Sequence, residues 1–179
     1  MAGITRGKDK VFMYELNEIL VYGNNGVCKL VDIRKERFSG APTMYYILAP
    51  VFDSRSKVYV PVNNEKLASR LRPVMLKEKL HEMMLEAKSS EITWESDDRK
   101  RGQEFHDIVS GGLSLELLTV MKTLVIHKQE LSRSVRRLHS ADEKTLALCE
   151  KIVGEEFAYA FGVDVDDALS HIEGEFTAA

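Results

Sequence analysis

Val58-Tyr59-Val60-Pro61-Val62-Asn63-Asn64-Glu65-Lys66-Leu67-Ala68-Ser69-Arg70-Leu71-Arg72-Pro73-Val74-Met75-Leu76 is the stretch in which one apolar periodicity gives way to another. Upstream of it, apolar residues come in short runs rich in β-branched and aromatic types: Ile19-Leu20-Val21-Tyr22, Val27-Cys28-Lys29-Leu30-Val31-Asp32-Ile33 and Met44-Tyr45-Tyr46-Ile47-Leu48. Together with residues 58–62 these read as strands. Gly23-Asn24-Asn25-Gly26, Ser39-Gly40-Ala41-Pro42 and Asp53-Ser54-Arg55-Ser56 separate them, and such residues tolerate positive φ or preset a turn. Four or five short strands at this spacing predict a small barrel. Downstream, Arg72-Pro73 suits a first helical turn, and Leu76, Leu80, Met83 and Met84 share one helical face. The expected class is therefore α+β in two domains, a small β domain over 12–67 and an all-α domain of about five helices over 72–173, with flexible termini at 1–11 and 174–179.

Further helices follow from caps and stripes. Residues 96–98 can open a second helix that carries Phe105, Ile108 and Val109 to a stop at Gly111-Gly112. Ser114 can open a long third one through Leu117, Leu118, Met121, Leu124, Val125, Leu131 and Val135. Ser140-Ala141-Asp142-Glu143 fits a capping box for a fourth, which runs to Gly162, and Asp164 suits the start of a short fifth.

At 179 residues and 44% hydrophobic content the chain can bury a substantial core. No stretch approaches the roughly 20 apolar residues of a bilayer span, and the first ten residues lack the apolar centre of a secretory signal. The cytoplasm is the expected location, with no membrane partner. Cys28 and Cys149 form no Cys-x-x-Cys unit and read as small core residues. A net charge of -3 argues against binding nucleic acid by bulk charge alone. The first 67 residues are nonetheless net basic and the remainder net acidic.

Catalytic and metal patterns fail one after another. His81-Glu82 lacks the second histidine of a zinc-protease motif, since Leu85 stands in its place. Gly3-Ile4-Thr5-Arg6-Gly7-Lys8-Asp9 is one residue short of a phosphate loop and lacks its terminal Ser or Thr. No cofactor, metal or enzymatic activity is expected. What remains is Trp94, the only tryptophan, placed in a polar junction just ahead of Arg99, Lys100 and Arg101. It reads either as a staple packed on the following helix or as an aromatic wedge beside phosphate-binding cations. Lys122, Lys128, Arg133, Arg136 and Arg137 form a second cationic set, on the long helix and its exit, where a merely solvated face is the alternative.

Tyr22-Gly23-Asn24-Asn25-Gly26-Val27, Val58-Tyr59-Val60-Pro61-Val62, Trp94, Ser110-Gly111 and Leu138-His139-Ser140-Ala141-Asp142-Glu143 occur in an order that resembles the CarD family of bacterial transcription regulators over about residues 14–165. The resemblance implies a Tudor-like barrel, shared with transcription-repair coupling factor, that docks on the RNA polymerase β subunit. Arg34, Glu36, Arg37, Val58, Tyr59 and Val60 are the candidate contacts. It further implies a helical domain at the upstream fork of promoter DNA within the polymerase complex, with Trp94 as minor-groove wedge. The cationic residues of both sets are then candidate DNA-backbone contacts. Stabilisation of the open complex, often at ribosomal RNA promoters, is the implied effect, with nucleoid association through the polymerase. The oligomeric expectation is a monomer, with a domain-swapped dimer as the variant. Two departures stand out: Glu95, Asp97 and Asp98 follow Trp94 where relatives place basic residues, and Glu36 and Tyr59 match positions where some relatives carry arginines. An adaptor that binds protein and no DNA is the competing reading.

Overall fold

The computed structural model describes residues 6–7, 10–11, 13–38, 40–53 and 55–178. It divides into two compact units, Met1–Val74 and Met75–Ala179. In the first, the short strands β1 (Arg6–Gly7) and β2 (Lys10–Val11) pair antiparallel. Of the terminal positions expected to be flexible, 1–5, 8, 9 and 179 lie outside the described residues.

The main sheet is antiparallel and contains β3 (Ile19–Tyr22), β4 (Val27–Glu36), β5 (Thr43–Pro50), β6 (Val58–Pro61) and β7 (Leu71–Pro73), with a helical turn α1 (Glu65–Ala68) between the last two. Its order is β6-β5-β4-β3-β7. The expected barrel is thus an open ladder: β6 and β7 are its edges and do not pair with each other among the described residues. Arg72-Pro73, expected to begin a helix, instead pairs with Leu20 and Val21. Proline lacks an amide donor, so it suits a sheet edge as well as a helix start. The β unit consequently extends past Leu67 to Val74.

Register divides the sheet into two faces. Tyr46, Leu48, Val60 and the partly buried Ile33 and Val58 join Leu20, Leu30 and Leu71 in the core. A shift at Val31 between Leu30 and Asp32 inserts one extra residue. Beyond it, Asp32, Arg34 and Glu36 share the opposite face with Tyr45 and Tyr59.

The second unit is helical: α2 (Lys77–Ser89), α3 (Asp98–Ser110), α4 (Leu115–Ser132), α5 (Ser140–Phe161) and α6 (Val165–Thr177). The predicted stripes meet in one core that includes Leu80, Phe105, Leu118, Met121, Ile152 and Ile172. Its first residue is pinned by the buried Glu156, whose Oε1 accepts a 3.0 Å hydrogen bond from the Met75 amide. Gly154 lies where α6 approaches α5 closely: a Cβ there would come within 3.0 Å of both Val165 Cγ1 and Leu169 Cγ.

Three helix ends differ from expectation. Residues 174–177 belong to α6, not to a flexible tail, because Phe176 is buried in the core. The cap of α5 is His139, whose ring accepts from the Ala141 amide at 3.4 Å, so Ser140 is the first helical residue and not the cap. The long helix α4 stops at Ser132, three residues short of Val135, which takes a left-handed φ of 55°.

Cys28 and Cys149 are buried and not joined to each other, as their setting predicted. Burial pushes the Cys149 thiol up to about 12, which leaves it unreactive while the fold is intact. No helix among the described residues is long and apolar enough to cross a membrane.

Candidate functional site

Trp94 is half-buried and packed, which favours the staple geometry without hiding the ring. The Arg101 guanidinium lies 4.3 Å from the indole centroid, the His127 ring sits at 4.3 Å tilted by 40°, and Phe105 meets it edge-on at 6.4 Å. Three side chains from α3 and α4 thus brace the ring. A cleft of about 310 Å³ beside it is lined by Glu91, Ile92, Lys122, Thr123, Ile126, His127 and Glu130 as well as Trp94.

The acidic stretch after Trp94 builds this arrangement. Asp97 caps α3 by accepting from the amides of Arg99 and Lys100 at 2.9 and 3.0 Å. Glu95 Oε1 accepts from the Asp97 amide at 2.9 Å, and its carbonyl accepts from Arg101 at 2.8 Å. Asp98 takes Arg101 Nη2 at 2.7 Å. These carboxylates are spent on a helix start and one guanidinium, which accounts for an acidic stretch directly after Trp94.

Arg101 itself is no surface cation, which corrects its assignment as a DNA-backbone contact. It is 3% exposed and forms a bidentate pair with the buried Asp142 of α5, Nε to Oδ1 at 3.1 Å and Nη2 to Oδ2 at 2.7 Å. Lys122 is corrected likewise: it is buried, and its ammonium donates to the carbonyls of Lys88, at 3.1 Å, and of Ser90, closing the carboxyl end of α2. A signal for both lay in the spacing. Arg101 precedes Phe105 by four and Val109 by eight, and Lys122 follows Leu118 by four, so each stands on an apolar stripe. Asp142 and His127, both decisive for the setting of Trp94, carried no local signal beyond a helix start and a helix face.

Arg99, Lys100, Lys128, Arg133, Arg136 and Arg137 are exposed. Lys128 lies near Glu150, whose pKa is raised by burial and moderated by that lysine. Among the described residues no three His, Cys, Asp or Glu side chains converge as a metal site.

The Asp98 carboxyl is held below its usual range by the hydrogen bond from Arg101. A lowered carboxylate stabilises the fold above its ordinary pKa of about 4, and that contribution is lost as pH falls through the lowered value. Trp94 emission should therefore stay constant from about pH 8 to about pH 5 and change only below about pH 4. A transition near neutral pH would instead count against control by the Asp98–Arg101 pair.

In the β unit, Arg34 is locked between Asp32 and Glu36 at 3.1 and 2.7 Å, so its charge is largely answered within the strand. Arg37 is exposed. Val60 is fully buried and Val58 is partly buried against the core, so Val60 can meet a partner only through its backbone, as strand addition along β6 requires. Sequence reasoning missed an aromatic cluster: Phe38 meets Tyr45 at 5.2 Å and Tyr59 at 5.1 Å, edge-on in both cases. Phe38 is 61% and Tyr59 36% exposed.

Residues 14–75 match the family model described as the CarD-like/TRCF RID domain, an RNA polymerase-interacting domain, and the β unit is assigned to that family. No curated protein matches the chain.

Proposed function

We propose that this chain, whose N-terminal unit is a CarD-like RNA polymerase-interacting domain, is a non-enzymatic bacterial transcription regulator. It binds the polymerase β subunit through its sheet and stabilises the open promoter complex by touching upstream-fork DNA with its helical unit. The observation that carries this reading is that the matched segment contains both β6, a sheet edge among the described residues, and the cluster of the exposed Phe38 and Tyr59 with the half-buried Tyr45. Strand addition along β6 supplies main-chain hydrogen bonds, and exposed aromatics supply the desolvated anchor that dominates such interfaces. The bulge at Val31 supports a Tudor-like character, because a bulge bends a strand toward barrel curvature.

The braced ring of Trp94 supports the wedge. A side chain already fixed by Arg101, Phe105 and His127 loses little freedom when its open edge meets a base step. Arg99 and Lys100, exposed in the turn that follows, are placed to answer phosphates. Tethering to polymerase compensates for the net negative charge by raising the local DNA concentration. Such a factor acts in the cytoplasm, at housekeeping promoters including those of ribosomal RNA.

Trp94→Ala should leave polymerase retention unchanged and shorten the open-complex lifetime, by about 5- to 150-fold if stacking contributes its usual ~1 to 3 kcal/mol. Phe38→Ala combined with Tyr59→Ala should do the reverse at the first step and weaken polymerase retention by at least about 30-fold. The adaptor reading is favoured by the packing of Trp94 on Phe105. It requires an unchanged lifetime for a folded Trp94→Ala chain, together with tryptophan emission that resists quenching.

A further inference from the structure

The turn that ends α4 is built at odds with its residue. Arg136 N donates to Leu131 O at 2.9 Å and Val135 N to Ser132 O at 3.1 Å, the paired bonds of a helix stop whose left-handed position normally holds glycine. The end of α5 places Gly162 there, with φ of 69° and the matching bond from Val163 N to Ala158 O at 3.1 Å. The end of α4 places Val135 there, at φ of 55°. Among the described residues the only other non-glycine with positive φ is Asn17, and asparagine is at ease in that region whereas a β-branched side chain is not.

Packing does not account for the choice, because Val135 is 96% exposed. Residues 131–139 contain Arg133, Arg136 and Arg137 and no carboxylate. All three arginines are exposed, and none enters an ion pair among the described residues. Arg101, by contrast, is fully engaged. The turn therefore presents one strained apolar tip flanked by three free guanidinium forks. Strain of this kind concentrates at functional positions.

We infer that the Val135 turn is a second DNA-contacting element, distinct from Trp94. Val135 seats its branched tip against the sugar and base wall of a duplex groove, and Arg133, Arg136 and Arg137 take the phosphates on either side. The inference rests on the reading that the helical unit meets promoter DNA. A polyanion with apolar groove walls matches the turn in both respects, since guanidinium forks fit phosphate oxygens and are drawn to narrow grooves. Position agrees: His127, which touches Trp94, lies five residues before the end of α4 at Ser132, about 7.5 Å at 1.5 Å per residue, and Val135 follows in the turn just beyond. One duplex can meet both within a few base pairs.

The test uses the full chain with RNA polymerase on promoter DNA and compares Val135→Gly, Val135→Ile, the triple Arg133→Ala, Arg136→Ala, Arg137→Ala variant, and Trp94→Ala. Val135→Gly is expected to raise Tm by a few degrees, because glycine relieves the left-handed turn, while shortening the open-complex half-life about fivefold. Val135→Ile, which keeps the apolar tip, retains the half-life. The triple variant lowers the dependence of log lifetime on log salt by about two to three, one phosphate per arginine. An unchanged half-life for Val135→Gly, with Trp94→Ala still shortening it, overturns this inference and leaves the functional reading standing. An unchanged half-life for both removes the reading as well. Loss of polymerase retention by Val135→Gly without DNA would make the turn a protein contact, which also overturns it.

Discussion

Asp142→Ala should destabilise the helical unit by about 3–5 kcal/mol, the usual consequence of removing one partner from a buried ion pair. Both groups are almost fully buried, and the bond is bidentate. Without Asp142, Arg101 keeps only Asp98 and the Glu95 carbonyl, and one edge of its guanidinium is left in a site that excludes water. The loss also disconnects two helices, since Arg101 lies on α3 and Asp142 on α5. A denaturant titration should show a lower midpoint with an unchanged slope, and Trp94 emission should shift to the red because the cation 4.3 Å from its ring is no longer fixed. Arg99→Ala, two residues away and exposed, should stay within about 0.5 kcal/mol of the parent. Replacing Arg101 and Asp142 together by leucine and methionine should recover most of the loss. A cost below about 1 kcal/mol for Asp142→Ala would mean that water reaches the pair.

Gly154→Val should cost about 2–3 kcal/mol through overpacking between α5 and α6. The first added carbon already meets Val165 Cγ1 and Leu169 Cγ at 3.0 Å, and valine adds two methyl groups beyond it. Gly154→Ala should be milder, because alanine regains up to about 1 kcal/mol of helix propensity against the same crowding. The order alanine above valine in thermal melts checks the close approach. Equal stability of all three would show that α6 moves away without penalty.

Periodicity located most strands and helices because each buries one face, and that face leaves a regular trace in the sequence. It failed where the deciding contact was distant. Proline at position 73 is acceptable at a helix start and at a sheet edge, and only pairing with Leu20, more than 50 residues earlier, selects the edge. Arg99 and Arg101 look alike in a charge count. They differ because the helical turn points Arg101 along the stripe of Phe105 and Val109, where Asp142 awaits it from another helix. Trp94 was legible as an anomaly, but its bracing by His127 depended on how α4 crosses that junction. The left-handed turn at Val135 ran against local preference, so local preference extended α4 through it.

The outer side of β6, which pairs with no strand among the described residues, carries a liability of self-assembly. An uncovered strand in one molecule is a template for the same strand in another, and concentrated solutions of the isolated chain should favour edge-to-edge dimers or exchanged strands over the monomer. Pro61 at one end and Lys57 just beyond the other limit the length of any such ladder. Occupancy by a binding partner would remove the liability altogether, so colloidal stability during storage and purification should improve when the edge is covered.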